Sequence, residues 1–385
     1  PVIMPGSGSR RAGAVDPFLK LVRQLGLPVA LSWTAVDLLP DDDPLYCGRA
    51  GTIGDRAGNF AVQNADLLLV LGSRLNIRQV SYNWECFAPG AFKIWVDIDP
   101  WELEKPTVRP DLPIVCDLGR FLRELESQLK TRGGGWPRRD GWLRWCRERV
   151  ARYPVLQPAQ RQGRSGFVNP YYFLDRLFDH LDADDVVVCG NGAASVVTMQ
   201  VARVKEGQRL IANSGCASMG YDLPAAIGAA VARGGKRVVC LTGDGSVQMN
   251  LQELQTIAAS KLPVKIFVLN NVGYLSMRLT QQNFFGRLCG ESRLSGLSFR
   301  DLVCLAGAFG LPAVRIDGVD LEAVIEQVLQ SEGPCLAEVM VDPDQGFEPR
   351  VSSRTLPDGR IVSAPLEDMY PFLEREEQER NIIRK

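Results

Sequence analysis

The sequence predicts an α/β protein of two doubly wound parallel-sheet domains, the first nucleotide-binding-like. Three observations carry that prediction. Short apolar runs alternate with amphipathic helical stretches over residues 1–130 and again over 166–345, which is the rhythm of βαβ units rather than of hairpins. Several runs end in glycine-rich breaks, at Pro5-Gly6-Ser7-Gly8, Gly190-Asn191-Gly192 and Gly243-Asp244-Gly245, and open parallel sheets bind ligands at such strand ends. Between the two blocks, residues 131–165 change character, with GGG at 133–135, Pro137, Pro154, Pro158 and many arginines. That composition marks a linker.

In the first block, Val2–Met4 reads as a strand, and Asp16–Leu25 as a helix with Phe18, Leu19, Val22 and Leu25 on one face. Val29–Trp33, Asp66–Leu71, Phe92–Ile98 and Ile114–Cys116 complete five strands. Gly72, Ser73 and Arg74 with Arg78 follow the third of these, Asp97 ends the fourth and Asp117 follows the fifth, so all of them can face one crevice. Gly6 and Gly8 alone are equally a plain strand-end turn. In the linker, Trp142, Trp145 and Val150 share a short helix interleaved with arginines. With a net charge of −1, that pattern suits a surface helix docked on a neighbour and not a nucleic-acid binder.

The second block opens with the helix Pro170–Leu181, expected to bury Tyr172, Phe173, Leu177 and Leu181. The strand Val186–Cys189 runs into Gly190-Asn191-Gly192-Ala193, and Ser214–Pro224 leads into a small-residue helix, Ala225–Ala232. Val238–Thr242 and Val264–Leu269 are strands joined through Leu251, Leu254, Ile257 and Ala258 at helical spacing, a right-handed βαβ crossover. Pro334–Val341 is the last strand. A polar tail, 346–385, follows as a disordered end or a lid, with Arg350, Arg354 and Arg360 as candidates to meet an anionic substrate.

The 385 residues suffice for two full cores. No apolar run approaches a membrane span, and Pro1 starts directly in a strand-like run with no signal peptide. Ten cysteines without a C-x-x-C pair point to reduced thiols and a cytoplasmic protein. His180 is the single histidine, which excludes Ser-His-Asp catalysis, a Cys-His pair and a multi-histidine metal site within the chain.

Asp244 and Asn271 both fall at strand carboxyl ends. Gly243 and Gly245 permit close backbone approach, and the following helix offers free N–H groups to a phosphate. An aspartate beside a phosphate needs a cation between them, and Asp244 with the Asn271 amide oxygen supplies hard ligands for Mg²⁺. Gly-Asp-Gly alone is an ordinary turn. Paired with Asn270-Asn271 on the next strand, it resembles the diphosphate-binding signature of thiamin-diphosphate enzymes.

That resemblance implies thiamin diphosphate and Mg²⁺, the metal held by Asp244, Asn271 and the Gly273 carbonyl. It places Gly190, Asn191, Gly192, Ala193, Ala217, Ser218, Gly243, Gly245, Ser246, Tyr274 and Leu275 around the cofactor, with Met219 as the wedge that bends it. By residue type alone, Met219 is also a core filler. The first block is similar to the FAD-holding middle domain of acetohydroxyacid synthase and its relatives, through Gly6, Gly8, Gly72, Ser73, Arg74, Asn76, Arg78, Asp97 and Asp117. Asn76 stands where that pattern carries an aspartate, and related middle domains hold ADP or nothing. In the family a glutamate from a pyrimidine-binding domain activates the cofactor. No glutamate here matches it, which implies a separate pyrimidine-binding chain or a precursor segment, within a hetero- or homo-oligomer. Thr280 stands where acetohydroxyacid synthases carry a tryptophan. GYLSMR, TQ and NFFG with the ending LEDMYPFL resemble acetolactate-synthase-like enzymes of sugar and polysaccharide biosynthesis, which implies acetyl transfer from pyruvate or another 2-oxo acid to a keto acceptor. Acetohydroxyacid synthase proper and a non-catalytic nucleotide-binding module are the other readings.

Overall fold

The computed structural model describes residues 1–133, 137–355, 357–358 and 360–383. It divides into two compact units, Pro1–Val155 with Glu348–Lys385, and Leu156–Phe347. Among the described residues no helix is long and apolar enough to cross a membrane.

The first unit holds six parallel strands: β1 (Val2–Pro5), β2 (Val29–Leu31), β3 (Tyr46–Arg49), β4 (Leu67–Leu71), β5 (Phe92–Asp97) and β6 (Leu112–Val115). Their order is β3-β2-β1-β4-β5-β6, so the winding reverses between β1 and β4, the topological switch point. Register runs Val2 opposite Leu68 and Ile3 opposite Val29. One face packs around Trp95, Val70 and Leu68, and the other around Phe18, Val22 and Leu71. The helix Val15–Leu25 stops at Gly26, whose φ of 60° is a left-handed cap.

The strand β3 is not visible in the sequence, because Tyr-Cys-Gly-Arg shows no apolar alternation. Tertiary contacts make it. Asp55 accepts from the Arg49 N–H at 2.7 Å and the Gly58 N–H at 2.6 Å, while the buried Arg49 guanidinium pairs with Asp41 at 2.7 Å.

Two boundaries differ from those the composition suggests. The helix Asp140–Arg152 is part of the first unit rather than a linker. Its Trp142 and Trp145 stack at 5.0 Å and pack on that unit's core, and the Trp142 indole donates to the Pro1 carbonyl at 2.8 Å. The docked surface is therefore the helix's own domain. Residues from 348 onward also return to this unit. Asn59 donates to the Leu366 carbonyl at 2.8 Å, Tyr153 donates to Glu377 at 2.8 Å, and Leu366 and Met369 are buried. Arg350 lies over the Tyr370 ring at 5.4 Å and Arg360 pairs with Asp358 at 2.7 Å. Gly134, Gly135 and the Arg354 side chain lie outside the described residues.

The second unit is again parallel and six-stranded: β7 (Val186–Cys189), β8 (Arg209–Ala212), β9 (Val238–Gly243), β10 (Val264–Asn270), β11 (Ala313–Ile316) and β12 (Cys335–Met340), ordered β11-β12-β10-β9-β7-β8. The switch point lies between β7 and β9. Strands β8 and β11 escape the sequence pattern because they are short and only partly buried. The helix Pro170–His180 buries Tyr171 rather than Tyr172, since the Tyr171 hydroxyl finds the Gln200 side-chain oxygen at 2.7 Å.

Two glycines give opposite expectations. A Cβ at Gly6 would stand 2.3 Å from the Gly72 carbonyl oxygen, which is backbone and cannot swing away. Gly6→Ala should therefore destabilise the first unit by about 1–3 kcal/mol. At Gly228, inside the helix Asp222–Ala232, an added methyl would meet no atom within 4 Å, so Gly228→Ala should stabilise by about 0.5–1 kcal/mol. Thermal unfolding of both variants beside the wild type checks the signs.

Candidate functional site

At the end of β9, Asp244 is almost fully buried. Its carboxylate accepts from the Gly245 N–H at 3.1 Å and the Gly273 N–H at 2.7 Å. At the end of β10, Asn271 is also buried, and its side-chain oxygen has no hydrogen-bond partner among the described residues. An unsatisfied buried acceptor costs on the order of 1–3 kcal/mol, and a cation would remove that cost. Burial pushes the Asp244 carboxyl up to about 7, against the pull of the Gly273 and Gly245 N–H groups. A divalent ion would pull it back down. Among the described residues no three acidic, Cys or His side chains gather to hold a metal, so this is a site of few protein ligands. Carboxylate, amide oxygen and a nearby backbone carbonyl fit Mg²⁺ completed by phosphate and water.

Neither Gly243 nor Gly245 has positive φ, so the turn does not require them conformationally. Gly245 is required because a Cβ would stand 2.1 Å from the Tyr274 ring, while a Cβ at Gly243 would meet nothing within 4 Å. Gly273 has both constraints, with φ +140° and the Glu291 carbonyl 2.0 Å from where a Cβ would go. The helix expected through Leu251, Leu254, Ile257 and Ala258 runs over Glu253–Ala259, and a 3₁₀ turn at Val247–Asn250 separates it from Gly245. The α-helix whose N-terminus meets the switch point is instead Ala193–Val201.

That helix follows Gly190, Asn191 and Gly192 at the end of β7, with Gly192 at φ 57°. Asn191 donates to the Ala217 carbonyl at 3.3 Å, tying this turn to the loop that carries Ser218, exposed, and Met219, half-buried. Leu275 is buried as the first residue of the helix Leu275–Phe284. The Ser246 hydroxyl is committed elsewhere: it donates to Asp222 at 2.8 Å and accepts from the Gly220 N–H at 3.0 Å. Only its backbone is left to serve a diphosphate.

Asp222 is the residue that sequence reasoning missed. Fully buried, it accepts from the Thr242 hydroxyl at 2.6 Å, and a Cβ on Gly190 would stand 2.4 Å from its carboxylate. It thus locks together the ends of β7 and β9 and the turn after them. An acid within the otherwise apolar Leu-Pro-Ala-Ala helix start was the available signal.

In the first unit, Gly6, Gly8, Gly72 and Ser73 meet at the switch point. The Gly6 N–H donates to the Leu71 carbonyl at 2.9 Å and the Gly8 N–H to the Gly72 carbonyl at 3.0 Å. Arg74 pairs with Glu102 at 2.5 Å. Asn76 accepts from the Arg78 N–H at 3.0 Å, Asp97 from the Asp99 N–H at 3.0 Å, and Asp117 caps a helix through the Arg120 N–H at 3.0 Å. Arg74 and Asn76 line a cavity of about 350 Å³ with Trp84, Trp101 and Lys105. Around the ends of β1, β2 and β4, four buried polar atoms have no partner among the described residues: the Ser9, Ser32 and Ser81 hydroxyls and the Gln79 amide nitrogen. No sequence motif marks them.

Comparison with known families matches residues 190–339 to the C-terminal TPP binding domain of thiamine pyrophosphate enzymes, and residues 1–125 to their central domain. The chain belongs to the thiamine pyrophosphate enzymes. The match to the C-terminal TPP binding domain starts on Gly190 and takes in Asp244, Asn271 and Gly273. The chain is 32% identical to the acetolactate synthase large subunit of Cyanidium caldarium over 91% of its length. It is 33% identical over 91% to the acetolactate synthase isozyme 2 large subunit of Escherichia coli K12, and 31% identical over 92% to the probable chloroplastic acetolactate synthase 2 of Oryza sativa subsp. japonica. It spans 59%, 61% and 54% of those relatives, respectively.

Asp244→Ala should abolish Mg²⁺-dependent binding of thiamin diphosphate in isothermal titration. In the wild type, Mg²⁺ affinity should fall as pH drops through about 7, because the cation must then displace a proton from Asp244. Titrations in buffers of different ionisation enthalpy should count that released proton.

Proposed function

We propose that the chain is the cofactor-holding portion of an acetolactate synthase-like enzyme that decarboxylates a 2-oxo acid such as pyruvate and passes the acetyl unit to a keto acceptor. The observation that carries this reading is the partnerless buried Asn271 oxygen at the end of β10, the strand paired with β9, whose end carries buried Asp244. When bound, thiamin diphosphate supplies the nucleophilic carbon and the electron sink for loss of CO₂. This chain's residues do the holding. Asp244, Asn271 and the Gly273 carbonyl take Mg²⁺, the turns at Gly190–Ala193 and Gly243–Ser246 offer N–H groups to the diphosphate, and Met219 stands as the bending wedge. The names of the relatives support the donor acid and an oligomeric large subunit.

The first-unit crevice is proposed to take FAD in a structural role, since decarboxylation and ligation involve no net redox change. The support is the switch-point packing of Gly6, Gly8 and Gly72 together with the four unsatisfied polar atoms around it. The activating carboxylate is proposed to come from a pyrimidine-binding domain outside these 385 residues. Thr280, exposed on the helix Leu275–Phe284 where acetohydroxyacid synthases carry a tryptophan, favours a keto sugar as acceptor over a second 2-oxo acid.

The test uses the full-length protein with any subunit that copurifies, supplied with thiamin diphosphate, Mg²⁺, FAD and pyruvate, with and without a keto sugar. CO₂ release and a two-carbon-extended sugar by mass spectrometry are expected, and neither from Asp244→Ala. Acetolactate from pyruvate alone would assign the chain to acetolactate formation instead. Turnover by residues 1–385 with no second polypeptide would overturn the outside carboxylate. Absence of FAD, FMN and ADP uptake in a titration would overturn the flavin.

A further inference from the structure

The loop Asn271–Gly273 follows a backbone path that its own residues disfavour. Val272, β-branched, stands at φ +62° and Gly273 at +140°, a region that side-chain-bearing residues rarely enter. A side chain from the next helix holds it there. Arg278, 8% exposed, turns its guanidinium back to the carbonyls of Asn271 at 3.4 Å and Val272 at 3.3 Å, and to the Pro343 carbonyl at 2.8 Å. Its Nε donates to Glu291 at 2.6 Å. Glu291, 1% exposed, accepts on its other carboxylate oxygen from the hydroxyls of Ser292 at 2.5 Å and Ser295 at 3.2 Å. The Glu291 carbonyl in turn accepts from the Tyr274 N–H at 2.7 Å, and Gly273 bridges Ser292. One buried ion pair therefore grips the loop from both sides.

Burying two charges is worthwhile only when every donor and acceptor is satisfied, and here nearly all are spent on the metal loop and its flank. The planar guanidinium fork reaches two successive carbonyls and a carboxylate together, which an ammonium cannot do. We infer that the Arg278–Glu291 pair is a positioning device for Mg²⁺, setting the Asn271 side chain and the Gly273 backbone toward Asp244. The inference rests on the metal site as proposed above. Groups that orient metal ligands typically change affinity by about 10- to 100-fold when altered.

The experiment titrates Mg²⁺ calorimetrically into the full-length protein, with any copurifying subunit, at saturating thiamin diphosphate. It then titrates thiamin diphosphate at saturating Mg²⁺. Arg278→Lys and Glu291→Gln should each weaken Mg²⁺ about 10- to 100-fold, with thiamin diphosphate affinity at saturating Mg²⁺ close to that of the wild type. Excess Mg²⁺ should restore activity, which a merely structural lesion would not allow. Unaltered Mg²⁺ affinity in folded Arg278→Lys, with only a lowered melting temperature, would overturn the positioning role even if Glu291→Gln does not fold. Asp244→Ala separates the two readings: if it too keeps wild-type Mg²⁺ affinity, the metal site itself is misread.

Discussion

Gly243 on β9 lies opposite Leu269 on β10, and from that register the chain leaves both strands at nearly the same level of the sheet. Asp244 follows at once on one path, and Asn271 follows Asn270 on the other. A parallel pair shifted by one residue would turn every side chain to the other face, and the two oxygens would no longer share a site. The register in turn depends on a crossover of almost wholly apolar contacts, with Val264, Ile266, Val268, Val238 and Cys240 fully buried. The polar site is thus positioned by a greasy one beneath it.

Glycines at both switch points serve approach more than conformational freedom. In the first unit, Gly6, Gly8 and Gly72 let the ends of β1 and β4 touch backbone to backbone. In the second, Gly190 makes room for the Asp222 carboxylate and Gly245 for the Tyr274 ring. Several of the buried polar atoms without a partner among the described residues lie at strand ends, in Asn271 of one unit and in Ser9, Ser32, Gln79 and Ser81 of the other. An open parallel sheet exposes its strand ends there, and the loops that leave in opposite directions cannot fill the gap.

Buried charge organises each unit around its loops. Arg49 with Asp41 and Asp55 builds β3 out of a segment with no strand pattern, and Arg278 with Glu291 holds the loop after β10. The Arg278 fork satisfies several acceptors at once and the Arg49 guanidinium takes both oxygens of Asp41, contacts that suit arginine. Such pairs span 6 to 13 residues across loops and leave no periodic trace.

The sequence by itself determined the fold class and most of the strands close to their observed ends, and it put Asp244, Asn271 and the Gly190–Ala193 turn directly after strands, where the structure has them. The reason is that parallel strands buried on both faces read as continuous apolar runs whose ends are punctuated by glycine. Only the tertiary structure decided that β3, β8 and β11 exist, that the tryptophan helix and the tail belong to the first unit, and that Ser246 spends its hydroxyl on Asp222. It alone set Asp222 against the turns after β7 and β9 and Arg278 against the loop after β10. Those roles are contacts between segments, and a hydrogen bond from residue 278 to residue 343 has no local composition from which to read it.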